Sequence, residues 1–279
     1  MKSTHLGLEL RVEGAGAALR RVAAVTHNTL REAGRHRIFY GLVAIAVALL
    51  LLSMLVSDLA LVDQKARLVQ DFGLFTIPFI GVLTAIVMGV VLLHKEIADK
   101  TIYAILPKPI RRSEFLLGKF FGLCLLLLIE LVVLSGCWFM VLSFRGGHVT
   151  QPIVAALTLS YVEIVLVTAI ATFFSAMSSP ALSGVLTFGL FVAGRISYVI
   201  SDLMTHTKGV FVEVPAMRWL GRFLVSVVPD LSTFNVADDV LLGWQVSGAY
   251  MAAAVGYGLT YAAVFVVLGL LVFERRDFT

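Results

Sequence analysis

Glu130 and Glu163 each fall roughly eleven residues into an apolar stretch of membrane length, and Arg195 interrupts a third such stretch. A charge at that depth costs several kcal/mol unless it is paired or hydrated, so such groups face protein or a water-filled cavity. Counting about 1.5 Å per residue from each end puts both carboxylates near the middle of the slab, with Arg195 roughly 5 Å further out. A long side chain bridges that offset, and Arg195 can pair with either glutamate. Two readings stay open: a polar lining for a substrate path or proton relay, or an interhelical pair that fixes packing.

The second concentration of chemistry is the strip LLHKEIADKTIYAILPKPIRRSEFLLGK, residues 92–119, which carries Lys95, Glu96, Asp99, Lys100, Lys108, Arg111, Arg112 and Glu114 between two apolar runs. Ile97, Thr101, Ala104 and Ile105 share one helical stripe, Glu96, Lys100 and Tyr103 another. Lys95/Asp99 and Glu96/Lys100 are i,i+4 pairs. The preceding span is therefore expected to continue as a short amphipathic helix. Pro107 and Pro109 end it, since each lacks an N–H and pushes its predecessor toward an extended conformation. Ser113 is then expected to cap a new helix, with Glu114 at its positive end, leading through Gly118-Lys119 into the next span. A helix, a stiff basic turn and a second helix tied directly to two spans would pass an applied force into the bilayer. The plainer alternative is a solvated loop.

Other chemistries lack their residues. Gly118-Lys119-Phe120 supplies neither the first glycine nor the hydroxyl of a P-loop, so the chain is not expected to bind ATP itself. There is no H-E-x-x-H, and His5, His27, His36, His94, His148 and His206 are too scattered for a metal site readable in sequence. Ser135-Gly136 and Ser183-Gly184 lack the glycine two places earlier that a nucleophile elbow needs. No catalytic residue and no metal ligand is expected.

The elements that must hold these groups follow from composition. Of 279 residues 59% are hydrophobic and 14% charged, with a mean hydropathy of +0.95, which describes an all-α integral membrane protein. Six stretches are long and apolar enough to cross a bilayer: 38–57, 72–93, 120–142, 153–176, 181–200 and 246–273. Lys and Arg outside them divide fifteen against six between alternate segments, so both termini are expected on the cytoplasmic side. The chain then reads as a cytoplasmic tail and interfacial helix (1–37), one six-helix domain (38–273) with segments 94–119 inside and 201–245 outside, and a short tail (274–279). Pro180 suits the first turn of the fifth span, close behind the fourth. Met1 to Arg37 is polar and does not read as a cleaved signal. Cys124 and Cys137 share one apolar segment and behave as small hydrophobes. The net charge of +4 is that of membrane flanks, with no basic module for nucleic acid.

Before the first span, Arg20, His27, Asn28, Arg31 and Arg35 form one stripe and Leu19, Val22, Ala23 and Leu30 another. This is the pattern of a helix lying in the interface, with Arg20, Arg21, Arg31 and Arg35 drawn to anionic lipid headgroups. The alternative is a frayed basic tail, and residues 1–16 are expected to lack regular structure. On the outer side, Met217, Leu220, Leu224 and Val227 follow helical spacing up to Pro229. Gly248, Ala252 and Gly256 repeat every fourth residue in the last span, as a close-packing seam would.

KEIADKTIYAILPKPIRRSEFLLGK resembles the cytoplasmic segment between the second and third spans of ABC-2 type transporter permeases, with Glu96, Thr101, Ile102, Leu106, Pro109, Ile110, Arg112, Phe115, Leu116, Gly118 and Lys119 in matching places. Lys100 stands where many members have glycine, which is similar to the multi-copper enzyme maturation permease subgroup. VVPDLSTFN (227–235) resembles the family's segment before the last span, and FERRDF (273–278) its usual ending. The resemblance implies a dimer of two permease copies, each engaging a nucleotide-binding ABC ATPase subunit that holds ATP and Mg. It makes the strip the coupling helix, with Glu96, Asp99, Lys100, Thr101, Tyr103, Pro109, Arg111 and Arg112 as contact candidates. Residues 17–37 would be the interfacial connecting helix and 213–228 the outer or re-entrant helices. The expected function is an exporter subunit in the bacterial inner membrane. Another reading is a mechanotransmission subunit that passes motion to an extracytoplasmic accessory protein seated on 201–245. A secondary transporter using Glu130 and Glu163 as proton carriers would call for an internal repeat that the sequence does not show.

Overall fold

The computed structural model describes residues 2–59, 64–98, 111–205, 219, 221 and 228–275, with side chains for all of these except 2–15, 95–98 and 205. Among them the elements are α1 (Lys2–Ala33), α2 (Arg37–Asp58), α3 (Lys65–Ala98), α4 (Arg112–Phe144), α5 (Gln151–Met177), α6 (Pro180–Thr205), a 3-10 turn (Ser232–Phe234), α7 (Ala237–Leu241) and α8 (Gly248–Arg275). Six of these, α2 to α6 and α8, are long and apolar enough to cross a membrane. They coincide with the six stretches expected from hydropathy, and most extend past the apolar run because no breaker stands at its edge. Thus α3 starts seven residues before position 72, and α6 starts on Pro180 itself.

Two expectations are corrected at helix ends. Residues 1–16 were expected to lack regular structure, but α1 runs back to Lys2. No proline interrupts that stretch, and Gly7, Gly14 and Gly16 each cost a helix only about 1 kcal/mol. Ser113 does not cap α4. The cap falls two residues earlier at Arg111, whose N–H donates to Glu114 Oε2 at 3.2 Å, because a carboxylate at the third helical position closes on the residue before the helix. The continuation of α3 into the strip holds as far as Ala98. The prolines at 107 and 109 and the outer helix expected over 213–228 lie outside the described residues, apart from Trp219 and Gly221.

α5 is the axis of the bundle. It is buried nearly all round and packs against α3, α4, α6 and α8, while α2, α6 and α8 present most of their apolar surface outward. Small residues along α5, among them Ala155, Ala156, Ala169 and Ala171, let its neighbours approach. Most of its buried hydroxyls are satisfied within the helix, while Ser175 donates across to the Gly89 carbonyl of α3 at 3.5 Å. Ser160, Thr168 and Thr172 donate to the carbonyls of Ala156, Ile164 and Thr168 at 2.8, 2.7 and 2.7 Å. Trp138 of α4, fully buried, donates from Nε1 to the Val69 carbonyl of α3 at 2.9 Å. At the end of the bundle away from the termini, Arg145 bonds Asp58 in a bidentate pair at 2.6 and 2.9 Å and the Met54 carbonyl at 2.8 Å, tying the α4–α5 turn to the end of α2.

The seam of α8 differs from the expected one. Gly248, Ala252 and Gly256 are exposed, and nothing lies within 4 Å of a Cβ placed on either glycine. The buried small residues are Ala254, Gly258, Ala262 and Gly269. A Cβ on Gly258 would collide with Val162 of α5 and stand 2.9 Å from the Phe234 ring. Gly258→Leu is therefore expected to destabilise the purified chain by about 1–3 kcal/mol, read as a lowered thermal unfolding midpoint in detergent, while Gly256→Leu leaves that midpoint nearly unchanged.

Candidate functional site

The charged strip meets the bundle where α4 begins, and three elements converge there. The first turn of α4 presents Glu114, which is buried although its neighbours Arg111 and Arg112 are exposed. Arg21 of α1 donates to it in a fork, from Nε to Oε2 at 2.8 Å and from Nη2 to Oε1 at 2.6 Å. The Glu114 carboxylate, first as acceptor and then as opposite charge, holds the Arg21 guanidinium above its ordinary value, so Arg21 stays charged. One turn on, Lys119 Nζ lies 3.2 Å from Glu32 Oε2 and 5.9 Å from the centre of the Phe115 ring. From α8, Phe273 stacks on Phe115 at 6.3 Å, and Arg112 Nη1 donates to the Glu274 carbonyl at 3.5 Å.

Glycine makes this approach possible. A Cβ on Gly118 would stand 2.5 Å from the Val25 Cβ, and one on Gly122 would stand 2.6 Å from the Thr29 Cβ. The two glycines, four apart on one face of α4, let α1 lie against it closely enough for Thr26 Oγ1 to donate to the Gly118 carbonyl at 3.2 Å. α1 therefore divides its faces three ways. Val22, Val25, Leu30 and Ala33 turn toward α4. Arg20, His27, Asn28, Arg31 and Arg35 stay exposed, as the interfacial reading requires, and Leu19 and Ala23 of the expected apolar stripe face outward. Arg21 is drawn from the headgroup set into the Glu114 fork.

The other root of the strip is held too. His94, near the end of α3, has Nδ1 3.0 Å from the Val90 carbonyl oxygen and Nε2 2.9 Å from that of Ser178, which caps α5 ahead of α6. The described residues on either side of the strip are thus both held, His94 at the α5–α6 junction and Glu114 in the α1–α4–α8 clasp. Of the contact candidates, Arg111 and Arg112 lie exposed beside the clasp. Glu96 belongs to α3 without a described side chain, and Asp99, Lys100, Thr101, Tyr103 and Pro109 lie outside the described residues.

Within the bundle, Arg195 of α6 pairs with Glu163 of α5, Nη2 to Oε2 at 2.8 Å, and not with Glu130. Glu163 is 1% exposed, and its Oε1 has no hydrogen-bond partner among the described residues. Glu130 of α4 meets Thr84 of α3 instead, whose Oγ1 lies 2.9 Å from Glu130 Oε1 and 2.9 Å from the Ile80 carbonyl. Its Oε2 is likewise without a partner among the described residues. Above the pair, the segment resembling the family's stretch before the last span docks on α6. The Leu231 N–H donates to the Gly194 carbonyl at 3.1 Å, and the Asp230 N–H donates to the hydroxyl oxygen of Tyr257 in α8 at 2.8 Å.

Arg21, Glu32, Thr84 and Ser178 carry this network and were not singled out for it in sequence. Their partners lie 93, 87, 46 and 84 residues away, beyond any local periodicity. Removing one member of a buried ion pair strands the other, so Arg195→Met is expected to cost about 3 kcal/mol of stability. Arg195→Met combined with Glu163→Gln should recover most of it, with thermal unfolding of both variants as the measurement.

A family model described as ABC-2 family transporter protein matches residues 23–278. The comparison with curated proteins finds no match. The matched region contains all six membrane-length helices, the charged strip, and Glu114, Phe115 and Phe273 of the clasp, and it begins two residues after Arg21. The chain belongs to the ABC-2 transporter family and is an integral-membrane permease subunit of an ABC transporter, whose family implies an ATP-binding ABC partner.

Proposed function

We propose that this permease couples ATP hydrolysis in its nucleotide-binding partner to export of a substrate, acting as a dimer in the bacterial inner membrane. ATP and Mg belong to the partner. Segment 95–110, with Glu96, Asp99, Lys100, Thr101, Tyr103 and Pro109, and the flanking Arg111 and Arg112, forms the surface that the partner grips. The observation that carries the reading is that the residues flanking this segment, His94 and Glu114, are each anchored to other helices. A push on it acts on α1, α4 and α8 through Glu114, Phe115 and Lys119, and on the α5–α6 junction through His94. Closure of the ATPase would then favour one arrangement of the spans over another, which is a population shift driven by differential contact.

The test is to purify the chain with the ABC ATPase that binds it and to measure ATP hydrolysis in proteoliposomes. Glu96→Arg is expected to weaken assembly and to lower permease-dependent ATPase activity by about tenfold, the scale of one lost charge-assisted contact. Unchanged assembly together with unchanged activity would remove the coupling assignment. Arg21→Gln, which opens the clasp without touching the partner, is expected to leave assembly intact and to reduce coupling severalfold. Charge-preserving Glu130→Asp and Arg195→Lys separate a path lining from a packing pair. Turnover lost with the folded protein retained supports the lining, and loss of the folded protein alone supports packing.

A further inference from the structure

A cavity of about 390 Å³ opens at the end of the bundle away from the termini, walled by the first turns of α3, by α6 and by the stretch that leads into α7. Its volume falls within the usual range of roughly 300–1,000 Å³ for small-molecule sites. The lining has a definite electrical character. Asp71 and Asp238 bring two carboxylates from separate elements, and both are exposed. The cationic side chain in the wall, Arg195, is already bound from beneath by Glu163 at 2.8 Å and lies 5.8 Å from the Phe191 ring. Among the described residues the lining therefore keeps a net negative charge, two carboxylates against one guanidinium.

Two further features make the surface electron-rich. Phe75 and Phe79 stack at 5.4 Å with their planes 12° apart, and both rings stand exposed in the wall beside Phe191. An aromatic face attracts a cation, most strongly where water is excluded. Pro78, between Phe75 and Phe79 in sequence, stands in the interior of α3. Proline has no N–H to give the carbonyl four residues back, so the Leu74 carbonyl loses its helical donor, and Leu74 and Pro78 both line the cavity. Carboxylates, a released carbonyl and ring faces all complement positive charge, while the apolar walls complement a hydrocarbon or aromatic body.

We propose that this cavity between α3, α6 and α7 binds an organic cation with an apolar body. That such a cation is the exported substrate rests on the function proposed above, whereas binding itself does not. The full chain in lipid nanodiscs is titrated with radiolabelled tetraphenylphosphonium, and with tetraphenylborate as a probe of the same shape and opposite charge. Saturable tetraphenylphosphonium binding is expected, weakened at least tenfold in Asp71→Asn/Asp238→Asn and again in Phe75→Leu/Phe79→Leu, with unfolding midpoints unchanged. Tetraphenylborate should bind no better than to empty nanodiscs. Equal binding of the two probes, or tetraphenylphosphonium binding that the aspartate variant leaves intact, would overturn the site. Adding tetraphenylphosphonium to the ATPase-bound complex tests the other claim separately. Specific binding without a change in ATP hydrolysis keeps the site and removes its role in export.

Discussion

Hydrocarbon offers no hydrogen bonds, and every polar group carried into the bilayer must close on another group of the protein or on water in a cavity. That constraint orders the whole bundle. Ser160, Thr168 and Thr172 of α5 fold back on their own helix, Trp138 Nε1 finds the Val69 carbonyl, and Arg195 finds Glu163. Since these demands are met inside the protein, α5 can be enclosed by α3, α4, α6 and α8 with small residues at the contacts. The outer helices then need only present apolar side chains to their surroundings. Glu130 Oε2 and Glu163 Oε1, two of the carboxylate oxygens without a partner among the described residues, stand out against that background.

The same constraint relaxes where α4 begins, and charge reappears there in pairs. Glu114 serves twice, completing the start of its own helix through the Arg111 N–H and receiving the Arg21 fork from α1. A single carboxylate thereby fixes the helix end and the position of the interfacial helix. Gly118 and Gly122 allow that proximity, and Phe273 adds the end of α8 to the same turn. The consequence is mechanical. The root of the strip cannot shift by itself, because its first turn is bonded to α1 and stacked on α8, whereas a free linker would absorb the displacement.

The six spans were legible because an uninterrupted apolar run of membrane length needs no partner to be recognised. The polar stripe of α1 was legible for the same reason, since periodicity is local. Choices of azimuth were not. Glu130 and Glu163 lie at similar depth, so depth alone could not select the partner of Arg195; the facing of α5 toward α6 did. In α8 the series Gly248/Ala252/Gly256 and Ala254/Gly258/Ala262 share the same spacing two residues apart. Only the presence of Val162 and Phe234 over Gly258 decides which is buried. Serine carries the commoner capping signal and points to Ser113, but the carboxylate of Glu114 sets the start of α4 at Arg111.

α3 gives these separate regions a physical connection. It is one helix of 34 residues, on the order of 50 Å at the standard rise, with the strip leaving one end and the cavity wall formed by its first turns at the other. Between them Thr84 holds Glu130 of α4, and His94 holds the α5–α6 junction. A straight helix would carry a displacement of its strip end along its length, but Pro78 removes one bond of the ladder and makes that turn the easiest place to bend. The bend would fall at the stacked Phe75 and Phe79 rings and at the Leu74 carbonyl. Motion applied where the proposed partner would grip would thereby be concentrated in the wall of the cavity, about five to six turns away along the same helix.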